Sequence, residues 1–144
     1  VTLMLRLNPQ VDLMHYTLER GNRTDLHHAV YQWTLSSRSQ AAVAEWRRGM
    51  NSLYEQAGYG TALVLTDARR SVLPPLAYAT HLSSIWTGHL HRRLHSRNAI
   101  LCAQPLPPHA EAVLHGLPGY GNNVIRFFSV EDRMAAIRWL VSDD

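Results

Sequence analysis

The chain has 144 residues, 46% of them hydrophobic, a length that suits one domain with one core, so a single domain over residues 1–144 is expected. One cysteine excludes an intramolecular disulfide, and every apolar run falls far short of the roughly 20 residues needed to span a bilayer. The net charge is +3, from 14 basic residues that are all Arg against 11 acidic ones, too small an excess to name a partner by itself. Biased genomic base composition accounts for the missing lysine; an Arg-rich phosphate-binding surface is the alternative. The first residues lack the charged region, long apolar region and cleavage site of a signal peptide, so a soluble, cytoplasmic protein in a reducing compartment is expected.

In chain order, Val1 to Leu7 reads as a short strand closed by Asn8-Pro9, and Leu13 to Leu18 as a second. Residues 19–23, Glu-Arg-Gly-Asn-Arg, form a turn, after which Leu26 to Leu35 is a strand by its Val30, Tyr31, Trp33 and Thr34. An N-terminal antiparallel hairpin follows. Ser37 and Gln40 make a capping box for a helix whose Val43, Trp46, Met50, Leu53, Tyr54 and Ala57 recur at helical spacing up to Gly58. Thr61 to Thr66, ending at Asp67, is a continuous apolar run that suits a central strand.

Beyond Pro74-Pro75, a second helix is expected from Leu76 to about His95, with Ala79, Leu82, Trp86, Leu90 and Leu94 inward and Thr80, Ser84, Thr87, His91 and His95 on its polar side. Ala99 to Ala103 reads as a buried strand and His109 to His115 as a short helix. Residues 123–141 close the chain as strand, cap and helix, Ser129 capping with Asp132, and Met134, Ile137, Leu140 and Val141 at helical spacing. Strands and helices thus alternate from Leu26 onward, which implies parallel pairs joined by right-handed crossovers. The expected fold is α/β: a mixed sheet of about five strands with an N-terminal antiparallel hairpin and helices packed on it.

Nine histidines make a metal or acid/base site the first chemistry to weigh. His91 and His95, four apart on the expected helix, could face one metal, but no third and fourth ligand stand at a recognisable spacing, and solvated surface histidines explain them. No metal or cofactor is expected. His27 and His28, adjacent on a strand, point to opposite faces. Cys102, within an apolar run, reads as a buried thiol and not a nucleophile. Trp33, Trp46, Trp86 and Trp139 all read as core.

Asp67 stands at the carboxyl end of a central strand, where open α/β sheets bind ligands, and Arg69, Arg70 and Ser71 follow it. An arginine pair there suits phosphate or carboxylate, while capping of a turn by Asp67 is the structural alternative. His89, His91, Arg92, Arg93, His95 and Arg97 make the end of the expected second helix basic, which would serve the helix dipole or an acidic protein or anionic membrane surface. Nucleic acid is disfavoured, because no exposed aromatics interleave and no reading module is present. The ligand or partner candidates are therefore Asp67, Arg69, Arg70, Ser71, His91, Arg92 and His95, with no catalytic residue assigned.

The strand–helix order, the Thr61 to Asp67 strand, the run Asn98-Ala99-Ile100-Leu101, and the Arg126-Phe127-Phe128 strand followed by residues 131–140, Glu-Asp-Arg-Met-Ala-Ala-Ile-Arg-Trp-Leu, together resemble the SpoIIAA-like branch of the STAS superfamily over roughly residues 12–142. That resemblance implies a non-catalytic regulatory or docking domain with a protein partner, homo-oligomers and peripheral membrane contact being compatible with it. Anti-sigma-factor antagonists of this superfamily carry a phosphorylatable Asp-Ser-Ser/Thr-Gly-like motif at the start of the second helix. Here that stretch reads Asp67-Ala68-Arg69-Arg70-Ser71, so the motif is absent and Ser71 is a positional candidate only. The alternative is a small anion- or metal-binding enzyme or ligand-binding protein using the loop after Asp67.

Overall fold

The computed structural model describes residues 2–8, 11–20, 23–35, 38–57, 61–71, 73–90 and 95–142, with side chains described from residue 30 onward, residue 57 excepted. Six strands form one sheet in the order β1 (Thr2–Asn8), β2 (Val11–Arg20), β3 (Arg23–Leu35), β4 (Thr61–Asp67), β5 (His95–Cys102) and β6 (Asn123–Ser129). Helices α1 (Gln40–Ala57), α2 (Pro75–Gly88) and α3 (Ala110–His115) link β3 through β6, and α4 (Arg133–Leu140) follows a 3-10 turn at Val130–Asp132.

The part of the sheet that carries the helices, β3 to β6, is four strands all parallel, with Val30 opposite Leu63, Thr61 opposite His95 and Ser96 opposite Asn123. This corrects the expected five-stranded sheet built on one N-terminal hairpin. Antiparallel pairing is confined to the margin, where β1 and β2 add to β3 as a meander and bring the total to six. The α/β class stands. The difference lies in β3, 13 residues long, which pairs antiparallel with β2 on one side and parallel with β4 on the other, so the early strands extend the same sheet as a meander.

Strand order equal to chain order, with right-handed crossovers, puts α1, α2 and α3 on one face and leaves α4 to cover the other. Alternation along the strands sorts the core accordingly. Trp33, Leu35, Ala62, Val64, Ile100 and Ile125 meet Trp46, Met50, Tyr54, Tyr78, Leu82, Trp86 and Leu114 on the first face. Val30, Leu63, Leu65, Ala99 and Leu101 meet Ala136, Ile137 and Leu140 on the second.

Three local expectations change. Ser39 caps α1, its Oγ accepting the backbone N–H of Ala42 at 3.2 Å; Ser37 lies outside the described residues. The Ser129 hydroxyl donates to Asp132 Oδ2 at 3.1 Å, and no side chain caps α4: Asp is one methylene shorter than the usual Glu, and its carboxylate takes the hydroxyl instead. Met134, expected inward, is 60% exposed. The largest change is α2. It stops at Gly88, a residue that costs about 1 kcal/mol in a helix relative to Ala, and the chain re-enters the sheet at His95, opposite Thr61. Leu90 is accordingly exposed.

Arg97, assigned from sequence to the basic end of α2, instead lies on β5 and clamps the end of α4. Its Nη1 donates to the carbonyls of Trp139 at 3.1 Å and Ser142 at 2.7 Å, and its guanidinium lies 6.0 Å from the Trp139 ring centre. A cation does meet the negative end of a helix dipole, but the helix is α4. Trp139, half-buried between Arg97 and Phe128, is the one tryptophan outside the deep core.

Candidate functional site

At the carboxyl end of β4, Asp67 is 4% exposed, on the α4 face by alternation with Leu63 and Leu65. Its Oδ1 accepts Arg69 Nε at 2.9 Å and the Arg69 backbone N–H at 3.3 Å, while Oδ2 accepts Arg69 Nη2 at 2.7 Å. The carboxylate raises the Arg69 pKa further. Ser71 donates its N–H to the Ala68 carbonyl at 3.0 Å and receives the Leu73 N–H on its Oγ at 3.2 Å. Asp67, Arg69 and Ser71 are thus brought together, and they close a turn upon itself. Arg70 and much of Arg69 face solvent.

His95 stands at the opposite end of the sheet from this turn. It is exposed at the first residue of β5 and not on α2; His91 and Arg92 lie outside the described residues. Among the described residues no three His, Cys, Asp or Glu side chains are grouped to hold a metal. His27 and His28 have no described side chains.

At the opposite end of the sheet lies a buried polar network. Ser96 is 1% exposed and Asn98 2%, both on β5 facing the ends of α1 and α2, and Asn123 opens β6. Trp86 Nε1 donates to Tyr54 Oη at 3.0 Å, and the Tyr54 hydroxyl reaches Asn98 Oδ1 at 3.3 Å. Asn98 Nδ2 donates to Ser96 Oγ at 3.0 Å, Ser96 Oγ to Asn123 Oδ1 at 2.6 Å, and Asn123 Nδ2 to the Gly119 carbonyl at 3.1 Å. Burial pushes the Tyr54 phenol pKa upward, with its hydrogen bonds to Ser96, Trp86 and Asn98 opposing the shift. Beside it, His89 Nε2 lies 3.1 Å from Asn51 Oδ1, and Tyr54, Trp86, His89 and Asn123 help to line a cavity of about 40 Å³, water-sized and not metabolite-sized. By sequence Tyr54 and Trp86 belong to apolar helix stripes, and nothing there assigns a polar role to Ser96, Asn98 or Asn123. The available signal was two polar side chains, two residues apart, on one face of a strand otherwise buried.

Comparison with family models, curated proteins and solved structures finds no match. Function is therefore argued from the geometry alone.

Two titratable groups near these regions give testable chemistry. On the α1–α2 seam, His81 Nδ1 sits 3.0 Å from Arg47 Nη1, and burial, with the Arg47 charge adding to it, lowers the His81 pKa. The neutral ring is the one that accepts from Arg47. Because the folded pKa lies below the unfolded one, this contribution to stability is present above the unfolded value of about 6.5 and is lost as pH falls through the folded value. Melting temperature is expected to drop between about pH 7.5 and pH 5.5, and the drop should be shallower in His81→Gln; identical profiles would show that His81 plays no part.

Cys102, at the carboxyl end of β5, packs against the first core, and burial pushes its thiol pKa up to about 12. A thiol so protonated is a poor nucleophile. The native protein is expected to resist iodoacetamide at neutral pH and to react once unfolded in urea. Rapid native labelling would contradict this assignment.

Proposed function

We propose that the chain is a non-catalytic regulatory or protein-interaction domain of STAS-like, SpoIIAA-like type, whose docking surface includes the turn after Asp67. The observation that carries the reading is the bidentate closure of Asp67 on Arg69. A ligand-binding loop at a strand end offers its polar groups to a ligand. Here the carboxylate is held by its own neighbour two residues on, and the Ser71 hydroxyl oxygen by the Leu73 amide. What the turn presents outward is cationic: Arg70 and the exposed part of Arg69. Such a surface suits an acidic patch on a protein partner.

The test has two arms. Thermal-shift screening against inorganic phosphate, citrate, Mg²⁺ and Zn²⁺ should give no stabilisation, since a ligand that binds only the folded state raises stability by RT ln(1 + [L]/Kd); a concentration-dependent rise would favour the ligand-binding alternative. Affinity capture should recover a protein partner whose retention is lost with Arg70→Glu at unchanged melting temperature. A partner indifferent to Arg70→Glu would remove the turn from the interface, and enzymatic turnover without any enriched partner would overturn the reading as a whole.

A further inference from the structure

The sheet order ends at β6, so one edge of the sheet is a seven-residue strand. Ser96 donates its N–H to the Asn122 carbonyl at 3.2 Å. In a parallel ladder backbone groups alternate in direction. Asn122, Val124, Arg126 and Phe128 therefore turn theirs toward β5, while Asn123, Ile125, Phe127 and Ser129 turn theirs outward, where a further strand could add.

The segment from Leu117 to Asn123 folds back over that edge. Asn123 donates its N–H to the Gly119 carbonyl at 3.3 Å and accepts the Gly121 N–H on its own carbonyl at 3.1 Å, a parallel bridge that acts as a one-residue seventh strand. The Tyr120 phenol lies near the backbone N–H of Ile125. This shape depends on two glycines at positive φ, Gly119 at 87° and Gly121 at 117°. It is anchored on both sides: the Ser83 hydroxyl of α2 donates to the Pro118 carbonyl at 2.8 Å, and Asn123 is tied into the buried network through Ser96. Arg126, exposed on β6 and 5.4 Å from the Phe128 ring centre, adds charge to the same strand.

We infer that residues 117–123 are an edge guard, which together with Arg126 prevents β6 from pairing with β6 of a second copy of this chain. The strap occupies the outward groups of Asn123 and places the Tyr120 ring near the outward N–H of Ile125, so a strand arriving there finds open only the far end, around Phe127 and Ser129, where the chain enters a 3-10 turn. A two-fold pairing of β6 with itself centred on Arg126 would set Ile125 opposite Phe127 and bring Arg126 directly opposite the same residue of the other copy, where like charges repel. The guard thus acts in two ways, by occupying hydrogen bonds and by charge. It is independent of the function assigned to the Asp67 turn.

The experiment compares wild type, Tyr120→Phe, Arg126→Thr and the double variant by amide hydrogen exchange and by size-exclusion chromatography with light scattering. Tyr120→Phe keeps the ring against His115 and removes only the oxygen. It should raise exchange at the Ile125 amide severalfold, with exchange in β4 and β5 unchanged. The double variant should form dimers in proportion to concentration, and Arg126→Thr alone should behave like wild type. Unchanged Ile125 exchange in Tyr120→Phe, a double variant as monomeric as wild type, self-association of Arg126→Thr with the strap intact, or a wild type already paired through β6 would each overturn the inference.

Discussion

Gly49→Ala should destabilise the fold although it improves the helix. Replacing a mid-helix glycine by alanine is worth about 1 kcal/mol to an isolated helix, and Gly49 lies well inside α1. Yet a Cβ at this position would collide with Cη2 of the Trp33 ring, with Cζ2 and Cζ3 each 2.8 Å away. Trp33 is 2% exposed and flanked by Leu35, Trp46 and the rest of the first core, so its ring has nowhere to go. The helix must lift from β3, and overpacking of this kind costs about 1–3 kcal/mol beyond the recovered propensity. Urea unfolding should show a lower midpoint with an unchanged slope. In a Trp33→Leu background the alanine should lose most of its penalty, as contacting residues do in a double-mutant cycle; an undiminished penalty would mean that the clash is not what matters.

Tyr54→Phe is the second large expected effect, from the loss of one oxygen atom. The phenol accepts the Trp86 indole N–H and donates toward Asn98, all three groups being buried. Without it a buried donor and a buried acceptor lose their partner, each at a cost of about 1–3 kcal/mol. The ring, still filling its place between α1 and α2, gives no compensating relief. Stability should fall by about 2–6 kcal/mol by this count, read by chemical denaturation, with the Trp86 fluorescence environment changed in the folded state. A variant as stable as wild type would show that water enters the adjacent cavity and takes over both bonds.

How far the sequence spoke depends on whether a feature is local. The periodicity of α1 and the apolar run of β4 lie within consecutive residues and read true, as does the short helix from Ala110 to His115. The end of α2 was misplaced because Leu90 and Leu94 continue a helical stripe past Gly88, and only the pairing of His95 with Thr61, a contact made 34 positions away, pulls the chain into a strand. Register with β4 outweighed local pattern. The Asp67 turn was half legible: the residues were identified, and the choice between open cleft and closed turn rested on where the Arg69 side chain went. The network of Tyr54, Trp86, Ser96, Asn98 and Asn123 could not be read as a unit, because its members come from four elements and meet only once α1 and α2 lie over β5 and β6. The edge guard was hidden for the same reason. Gly119-Tyr120-Gly121 carries no pattern that announces a strap, and its position just before β6 lets it fold back along the edge.

The hydrogen-bonded run from Trp86 to Gly119 has one more property. Hydroxyls rotate and amides flip, so a buried cluster of them usually admits several arrangements of its protons, and the ensemble keeps some entropy from that choice. Here the two ends narrow the choice. An indole nitrogen can only give a proton and a peptide carbonyl can only take one, and Trp86 and Gly119 stand at the two ends of the run. The links between them point the same way, through Tyr54, Asn98, Ser96 and Asn123, and only the Tyr54 proton keeps two acceptors, Asn98 Oδ1 and Ser96 Oγ, each at 3.3 Å. The side-chain amides of Asn98 and Asn123 are each locked in one orientation, and the end of the sheet that they join to α1, α2 and the strap is held as a single piece with a direction built into it.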